Sequence, residues 1–313
     1  MKNNNLLDDF HNLLDSKGYI GEIVSAIHIP ELLNDIRKYH TRKEIYPELY
    51  NQYKSVFEFK PKADFDSIES IIILAVPVPQ FRIIFQWRDK DFSLLIPPTY
   101  LYGRKIIEET HAFLECFFNT HGYNIIYAKL PFKTLAVRSG LARYGRNNIS
   151  YVSNMGSFYR LCAFYSDFPA DTHNWHQLKM MDACIECKAC SLACPTKAIS
   201  DDRFLLYHGR CLTYHNEQPD KIPFPKWIQP EWHNCLVGCL YCQKVCPANK
   251  HVRDWTEIGP NFTQEETKLF LNHISFEKLP EETKKKLREC ELDEYLEVFA
   301  RNIGVFMLSS QVP

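Results

Sequence analysis

At 313 residues, 45% hydrophobic and 24% charged, the chain is long enough for two domains and has the composition of a folded globular protein. Lys and Arg number 37 against 38 Asp and Glu, a formal net charge of -1 that excludes a global basic field recruiting nucleic acid. The best apolar run, Ile71 to Val78, falls far short of the ~18 residues that span a bilayer, and Met1 to Asp9 lacks a signal peptide's apolar core; a cytoplasmic chain with no membrane partner is expected.

Leu6, Leu7, Phe10, Leu13 and Leu14 recur at helical spacing near the start. Ile71 to Val76 reads as a strand whose continuous β-branched residues predict burial on both faces. The aromatic stretch Phe81 to Tyr102 is either a packed surface excursion or the wall of a pocket. A long helix is predicted from Arg104 to Thr120, then short strands at Tyr123–Tyr127, Ile149–Val152 and Phe158–Phe164. Cysteine and proline density jumps at Asp182, and helical periodicity returns at Thr263–Phe270, Glu281–Glu289 and Asp293–Leu308. Lys284, Lys285 and Lys286 read as a solvated face. Elements interleave without a repeat, predicting an α/β or α+β fold. The expected organisation is a domain over 1–178, a cysteine-rich domain over 179–255 and a helical segment over 256–313.

The 12 cysteines are the abnormal entry in the composition. In a reducing compartment, clustered thiols read as metal ligands rather than disulfides. Cys184-x2-Cys187-x2-Cys190-x3-Cys194-Pro195 is the bacterial ferredoxin run, in which three closely spaced thiolates bind one cubane and the fourth reaches a second. Cys239-x2-Cys242-x3-Cys246-Pro247 answers it. Together they predict two [4Fe-4S] clusters, one on Cys184, Cys187, Cys190 and Cys246, the other on Cys194, Cys239, Cys242 and one more. Spacing leaves Cys211 and Cys235 both open for that last place. Zinc ribbons also use CxxC pairs, but they need neither the triple spacing nor two Cys-Pro endings. Cys116, Cys162 and Cys290 lie in apolar contexts and read as small buried hydrophobes.

Two clusters imply electron transfer, and some 180 preceding residues must use the electrons. Here Ala136-Val137-Arg138-Ser139-Gly140-Leu141-Ala142-Arg143-Tyr144-Gly145-Arg146-Asn147 resembles the A-x-R-A-G-L-G-W-x-G-K-N signature of the epoxyqueuosine reductase family, relatives of the corrinoid reductive dehalogenases. Met155-Gly156-Ser157, Cys211-Leu212-Thr213-Tyr214, Gly238-Cys239-x2-Cys242-Gln243-x-Val245-Cys246-Pro247-x-Asn249 and Arg301-Asn302 follow in family order. The resemblance implies a nitroreductase-like cobalamin-binding domain fused to a ferredoxin-like double-cluster domain, with electrons passing to a base-off cobalamin for a two-electron reduction. It implies that Gly140, Leu141, Gly145, Arg146, Asn147, Gly156 and Ser157 line the cobalamin cleft, and it favours Cys211 as the eighth cluster ligand. An external donor such as ferredoxin or flavodoxin is expected.

The chain also departs from the family. Leu101-Tyr102-Gly103 stands where the family carries Asp-Tyr-His, and Ala128 to Phe132 brings no carboxylate where the family has Asp-Thr. Reductive opening of an epoxide needs a proton donor within hydrogen-bond reach of the departing oxygen. Tyr102 and Tyr144 are the candidate catalytic residues, with Tyr100 beside them, on the expectation that Arg143 or Arg146 lowers a phenol's pKa. A small or nucleoside-like substrate is therefore expected in place of tRNA. The alternatives are a true tRNA epoxyqueuosine reductase with its acid relocated, or a non-catalytic electron-transfer or corrinoid-reactivating protein exposing an aromatic patch at Phe81 to Trp87.

Overall fold

A computed structural model describes residues 2–62, 65, 67–171 and 173–309. In chain order its elements are α1 (Lys2–Ser16), β1 (Ile20–Ser25), α2 (Ile29–Thr41), α3 (Pro47–Val56), β2 (Ser70–Pro77), β3 (Gln80–Trp87), β4 (Lys90–Ile96), α4 (Gly103–Thr120), β5 (Ile125–Tyr127), α5 (Phe132–Arg138), β6 (Arg143–Tyr144), β7 (Ser150–Tyr151) and β8 (Tyr159–Ser166). Then come α6 (Ala189–Ala193), α7 (Leu212–Asn216), α8 (Tyr241–Lys244), β9 (Thr256–Phe262), α9 (Gln264–Leu271), α10 (Glu281–Glu289) and α11 (Leu296–Ser309). They form two compact units, Met1–Pro77 with Lys105–Glu186, and Val78–Arg104 with Cys187–Pro313.

The first unit is built on a four-stranded sheet ordered β1-β2-β8-β5, antiparallel throughout. Its centre is β2, where Ile71, Ile72, Ile73, Leu74 and Ala75 are fully buried, as the continuous β-branched run requires. On one face Leu6, Phe10 and Leu14 of α1 and Leu114 and Phe118 of α4 enclose Ile72, Leu74 and Phe164. Helix α5 packs against β2 and β8. A ribbon of β6 and β7 frames residues 145–149.

In the second unit the order is β4-β3-β9, with β3 antiparallel to β4 and parallel to β9. Phe85 of β3 stacks on Phe262 of β9 at 5.2 Å, with Phe270 and Phe299 edge-on from α9 and α11. The short helices α6 and α8 of the two cysteine runs pack together. Helix α9 opens on a capping box: Thr263 Oγ1 accepts from the Glu266 N–H, and Glu266 Oε2 accepts from the Thr263 N–H.

Three expectations change. The stretch from Phe81 is a β-hairpin whose Phe81, Ile83, Phe85, Leu94 and Ile96 are buried, so it is core rather than an exposed aromatic patch. Cys116 is exposed, because the buried face of α4 runs through Thr110, Leu114 and Phe118 and residue 116 points away from it. The lysine run is not a uniform solvated face. Lys286 pairs with the buried Glu266 at 2.7 Å and Lys284 is 13% exposed, while Lys285 alone is largely exposed, at 65%.

Candidate metal centre and cofactor loop

In the second unit Cys190 lies in α6, and Cys194 occupies its C-cap, where Pro195 ends the helix. Cys242 lies in α8, Cys246 precedes the 3-10 turn Pro247–Asn249, and Cys211 caps the start of α7. The Cys194 sulfur accepts from the Ala198 N–H at 3.3 Å and lies 3.4 Å from Thr196 Oγ1. Burial raises the Cys211 thiol; the Thr213 and Tyr214 N–H groups oppose that rise, and Cys194 adds to it. Burial likewise pushes up the Cys239 thiol, with further contributions from Cys235, Cys211 and Cys194. Cys235, Cys211 and Cys194 therefore all lie within electrostatic reach of Cys239. Among the described residues no three His, Cys, Asp or Glu side chains close on a point tight enough for one ion. A four-iron cube takes each thiolate on a different iron, so its ligands stay apart.

Cys235 is fully buried and its backbone joins β4, with the Leu236 N–H donating to the Leu95 carbonyl at 2.8 Å. Burial raises its thiol far above the ordinary range.

The buried Asn216 braces this region. Its amide donates to the Gly238 carbonyl at 2.7 Å and accepts from His233 Nδ1 at 3.0 Å. From α11, Arg301 donates to the carbonyls of His215 and Asn216, and Asn302 to those of Asn216 and Leu236. The Arg-Asn pair thus ties the helix after Cys211 to the loop before Cys239. Gly238, at φ +74°, lets the Tyr100 ring approach so closely that a Cβ there would sit 2.8 Å from its hydroxyl.

In the first unit Cys184 ends the 3-10 turn Asp182–Cys184. The preceding segment forms an isolated bridge to β6, the Tyr144 N–H donating to the Lys179 carbonyl and the Met181 N–H to the Tyr144 carbonyl. Arg146 donates through Nη2 to the carbonyls of Cys184 (2.6 Å) and Ile185 (3.1 Å). Asn147 is spent within its own loop, donating to the Tyr151 hydroxyl at 2.9 Å and accepting from the Ile149 N–H. Gly145 abuts the Tyr151 ring. The planar ring that Gly140 admits, at φ +85°, is the imidazole of His176. Leu141 and Ser157 are buried nearby in sequence, and Gly156 adopts φ +58°.

Residues that spacing did not reveal hold His176 there. Its N–H donates to the Arg138 carbonyl at 2.7 Å, and its carbonyl accepts from Arg138 Nη1 at 2.9 Å. Arg138 forms a buried two-point pair with Asp35, at 2.9 and 2.8 Å. Trp175 stacks on His28 at 4.6 Å and donates to Glu31. Asn174 accepts from His176 Nε2 and donates to Glu22, whose carboxyl burial pushes up.

The candidate tyrosines are not made acidic. Burial raises the phenols of Tyr102 and Tyr144, and Tyr144 OH sits 3.1 Å from Thr134 Oγ1. Tyr100 is raised well above its ordinary value by burial and then by Glu217, which accepts its hydrogen bond. The arginine-lowered phenol expected from sequence is absent at all three: burial outweighs any cation there.

Comparison with known proteins now adds to this geometry. The profile of a 4Fe-4S double cluster binding domain matches residues 183–249. An epoxyqueuosine reductase of Cyclobacterium marinum is 29% identical over 199 residues, 61% of this chain and 59% of that protein. The chain is similar in sequence to epoxyqueuosine reductases. It spans about half the length of the curated relatives it matches, 48% and 59% for two of them. The solved epoxyqueuosine reductase of Bacillus subtilis superposes with a TM-score of 0.68 at 18% identity, covering 97% of this chain and 82% of that one, so the fold is shared. An epoxyqueuosine reductase solved with an epoxyqueuosine-modified tRNA-Tyr stem loop gives the same score and identity, covering 97% and 81%. Among the described residues no helix is long and apolar enough to cross a membrane.

Proposed function

We propose that the chain is an iron–sulfur oxidoreductase of the epoxyqueuosine reductase kind. On this reading it takes electrons from an external donor such as ferredoxin or flavodoxin and reduces a small or nucleoside-like substrate. The observation that carries it is the double-cluster match over residues 183–249, which contains both cysteine runs; Cys194, Cys211 and Cys239 are the proposed ligands of one cluster. Cys242 completes that cluster, and Cys184, Cys187, Cys190 and Cys246 hold the other. The donor set fits: all eight are thiols, and Cys194 already accepts an N–H hydrogen bond of the kind that tunes cluster sulfurs.

Bound clusters would supply one-electron transfer and a bound cobalamin the two-electron reductant. The chain's own residues position these groups. Asn216, Arg301 and Asn302 fix the loops bearing Cys211 and Cys239. Gly140, Leu141, Gly145, Arg146, Asn147, Gly156 and Ser157 are the proposed corrinoid loop, supported by the family resemblance. Because Asn147 and Gly145 are engaged internally, the loop's backbone and the His176 imidazole are what it offers to a planar ring. Tyr102 and Tyr144 are the proposed donors by their place in the sequence; burial raises both phenols and makes each a weaker acid than an ordinary tyrosine.

A second reading, epoxyqueuosine within tRNA, is supported by the related enzyme solved with such a stem loop. The experiment is anaerobic purification followed by cobalamin titration and incubation with epoxyqueuosine-tRNA under strong reductant. About eight irons, corrinoid uptake and no tRNA conversion support the small-substrate reading. Conversion establishes the tRNA reading. An iron-replete chain that takes up no cobalamin overturns both.

A further inference from the structure

Arg146 is the residue of the glycine-loop signature whose side chain does something the signature alone does not explain. It leaves the loop between β6 and β7 and donates from one terminal nitrogen to two consecutive carbonyls, those of Cys184 and Ile185. Those carbonyls end a single 3-10 turn, Asp182–Cys184, where backbone acceptors have outrun the turn's own donors. The Cys184 N–H is taken up by the Met181 carbonyl and the Ile185 N–H by the Asp182 carbonyl. On the acceptor side, Arg146 supplies donors at this corner. Behind the turn, Lys179 and Met181 are fixed by main-chain bonds to Tyr144, two residues before Arg146. The first cysteine of the ferredoxin run is therefore held from two sides by one short ribbon.

We propose that Arg146 is a positioning residue for the cluster that Cys184 binds, and that its charge raises that cluster's reduction potential. The inference rests on the reading of Cys184 as a cluster ligand. Its physical basis has two parts. A charge-assisted hydrogen bond to a carbonyl is stronger than a neutral one and fixes the peptide that aims the thiolate. A guanidinium stays cationic at any working pH, and a cluster gains negative charge on reduction, so a nearby cation favours the reduced form. Arginine and lysine share the charge; methionine shares only the aliphatic stem. Arg146→Lys and Arg146→Met therefore separate charge from bulk.

The test is iron analysis and EPR-monitored redox titration of anaerobically prepared wild-type, R146K and R146M chains, with no substrate required. In R146M one of the two clusters is expected to titrate at lower potential while the other is unchanged, and R146K is expected to follow the wild type. Selective loss of about four of the eight irons in R146M supports the same role, through loss of the held cysteine. Wild-type iron content and two wild-type potentials in R146M overturn it. If R146M does not fold, Arg146→Gln, which keeps a donor and drops the charge, gives the same reading: two unshifted clusters in R146Q overturn the electrostatic part. A wild-type chain that binds no iron–sulfur cluster would instead overturn the ligand reading beneath the proposal, and the two failures are told apart by that control.

Discussion

Gly140 and His176 are in direct contact: a β-carbon on residue 140 would lie 2.9 Å from both Cδ2 and Nε2 of the imidazole. The contact is set by the backbone, since His176 exchanges two hydrogen bonds with Arg138, two residues before Gly140. Gly140→Ala suffers twice, from the clash and from a positive φ that costs an L-residue ~1–2 kcal/mol. We expect G140A to lower unfolding stability by about 2–3 kcal/mol. In a G140A/H176G double variant the clash is relieved and the backbone cost stays. Chemical denaturation of all four chains measures the coupling, and strictly additive losses would contradict the contact.

Asp35 and Arg138 are 2% and 6% exposed, so their pairing is a desolvated one. Removing one partner strands the other charge. Asp35→Ala is expected to cost roughly 3–5 kcal/mol, and replacing both residues with apolar side chains less than the sum of the two single changes. Urea midpoints of the single and double variants check this.

The two contenders for the eighth ligand make opposite predictions. Cys211→Ser is expected to lose about four of eight irons and one EPR signal, whereas Cys235→Ser keeps both clusters. Cys235→Ser instead places a hydroxyl in a fully buried site, and its effect is expected in thermal stability alone. An iron-deficient C235S beside an iron-replete C211S would reverse the assignment.

His233 gives stability a pH dependence. Burial, reinforced by Arg301, holds its imidazole at about 4, below the ordinary 6.5. Between those values the unfolded chain binds a proton that the folded chain does not, so stability rises with pH. The contribution is complete above about 6.5 and lost as pH falls toward 4, a loss of about 3 kcal/mol at 1.36 kcal/mol per unit. Denaturation of wild type and His233→Gln across pH 4 to 7 reads it out: the variant's curve should be flatter over that window.

What the sequence made legible was local. The cysteine runs are short-range patterns, and β2 announces itself through an unbroken apolar run, Ile71 to Val76, led by three isoleucines. Strand β9 was not legible because Thr256–Phe262 is polar, interrupted by Gly259 and Pro260, and largely exposed; its pairing with β3 comes from a partner far away in the chain. The placing of Cys116 failed for a phase reason. An apolar helix shows which residue types it carries more clearly than which face turns inward, and two residues are about 200° of rotation. The glycine loop was recognisable as a loop, but the identity of the ring it admits is tertiary information. Nothing near Gly140 in the chain points to His176.

The parallel pairing of β3 with β9 has a consequence for how the chain is made. During synthesis Phe85 of the hairpin emerges long before Phe262 and Phe270, whose rings pack against it. By the time the last cysteine, Cys290, has left the ribosome, β9 is available, but Cys184 to Cys246 all appear before it. Both cysteine runs thus emerge while the β3–β4 hairpin still lacks its β9 neighbour.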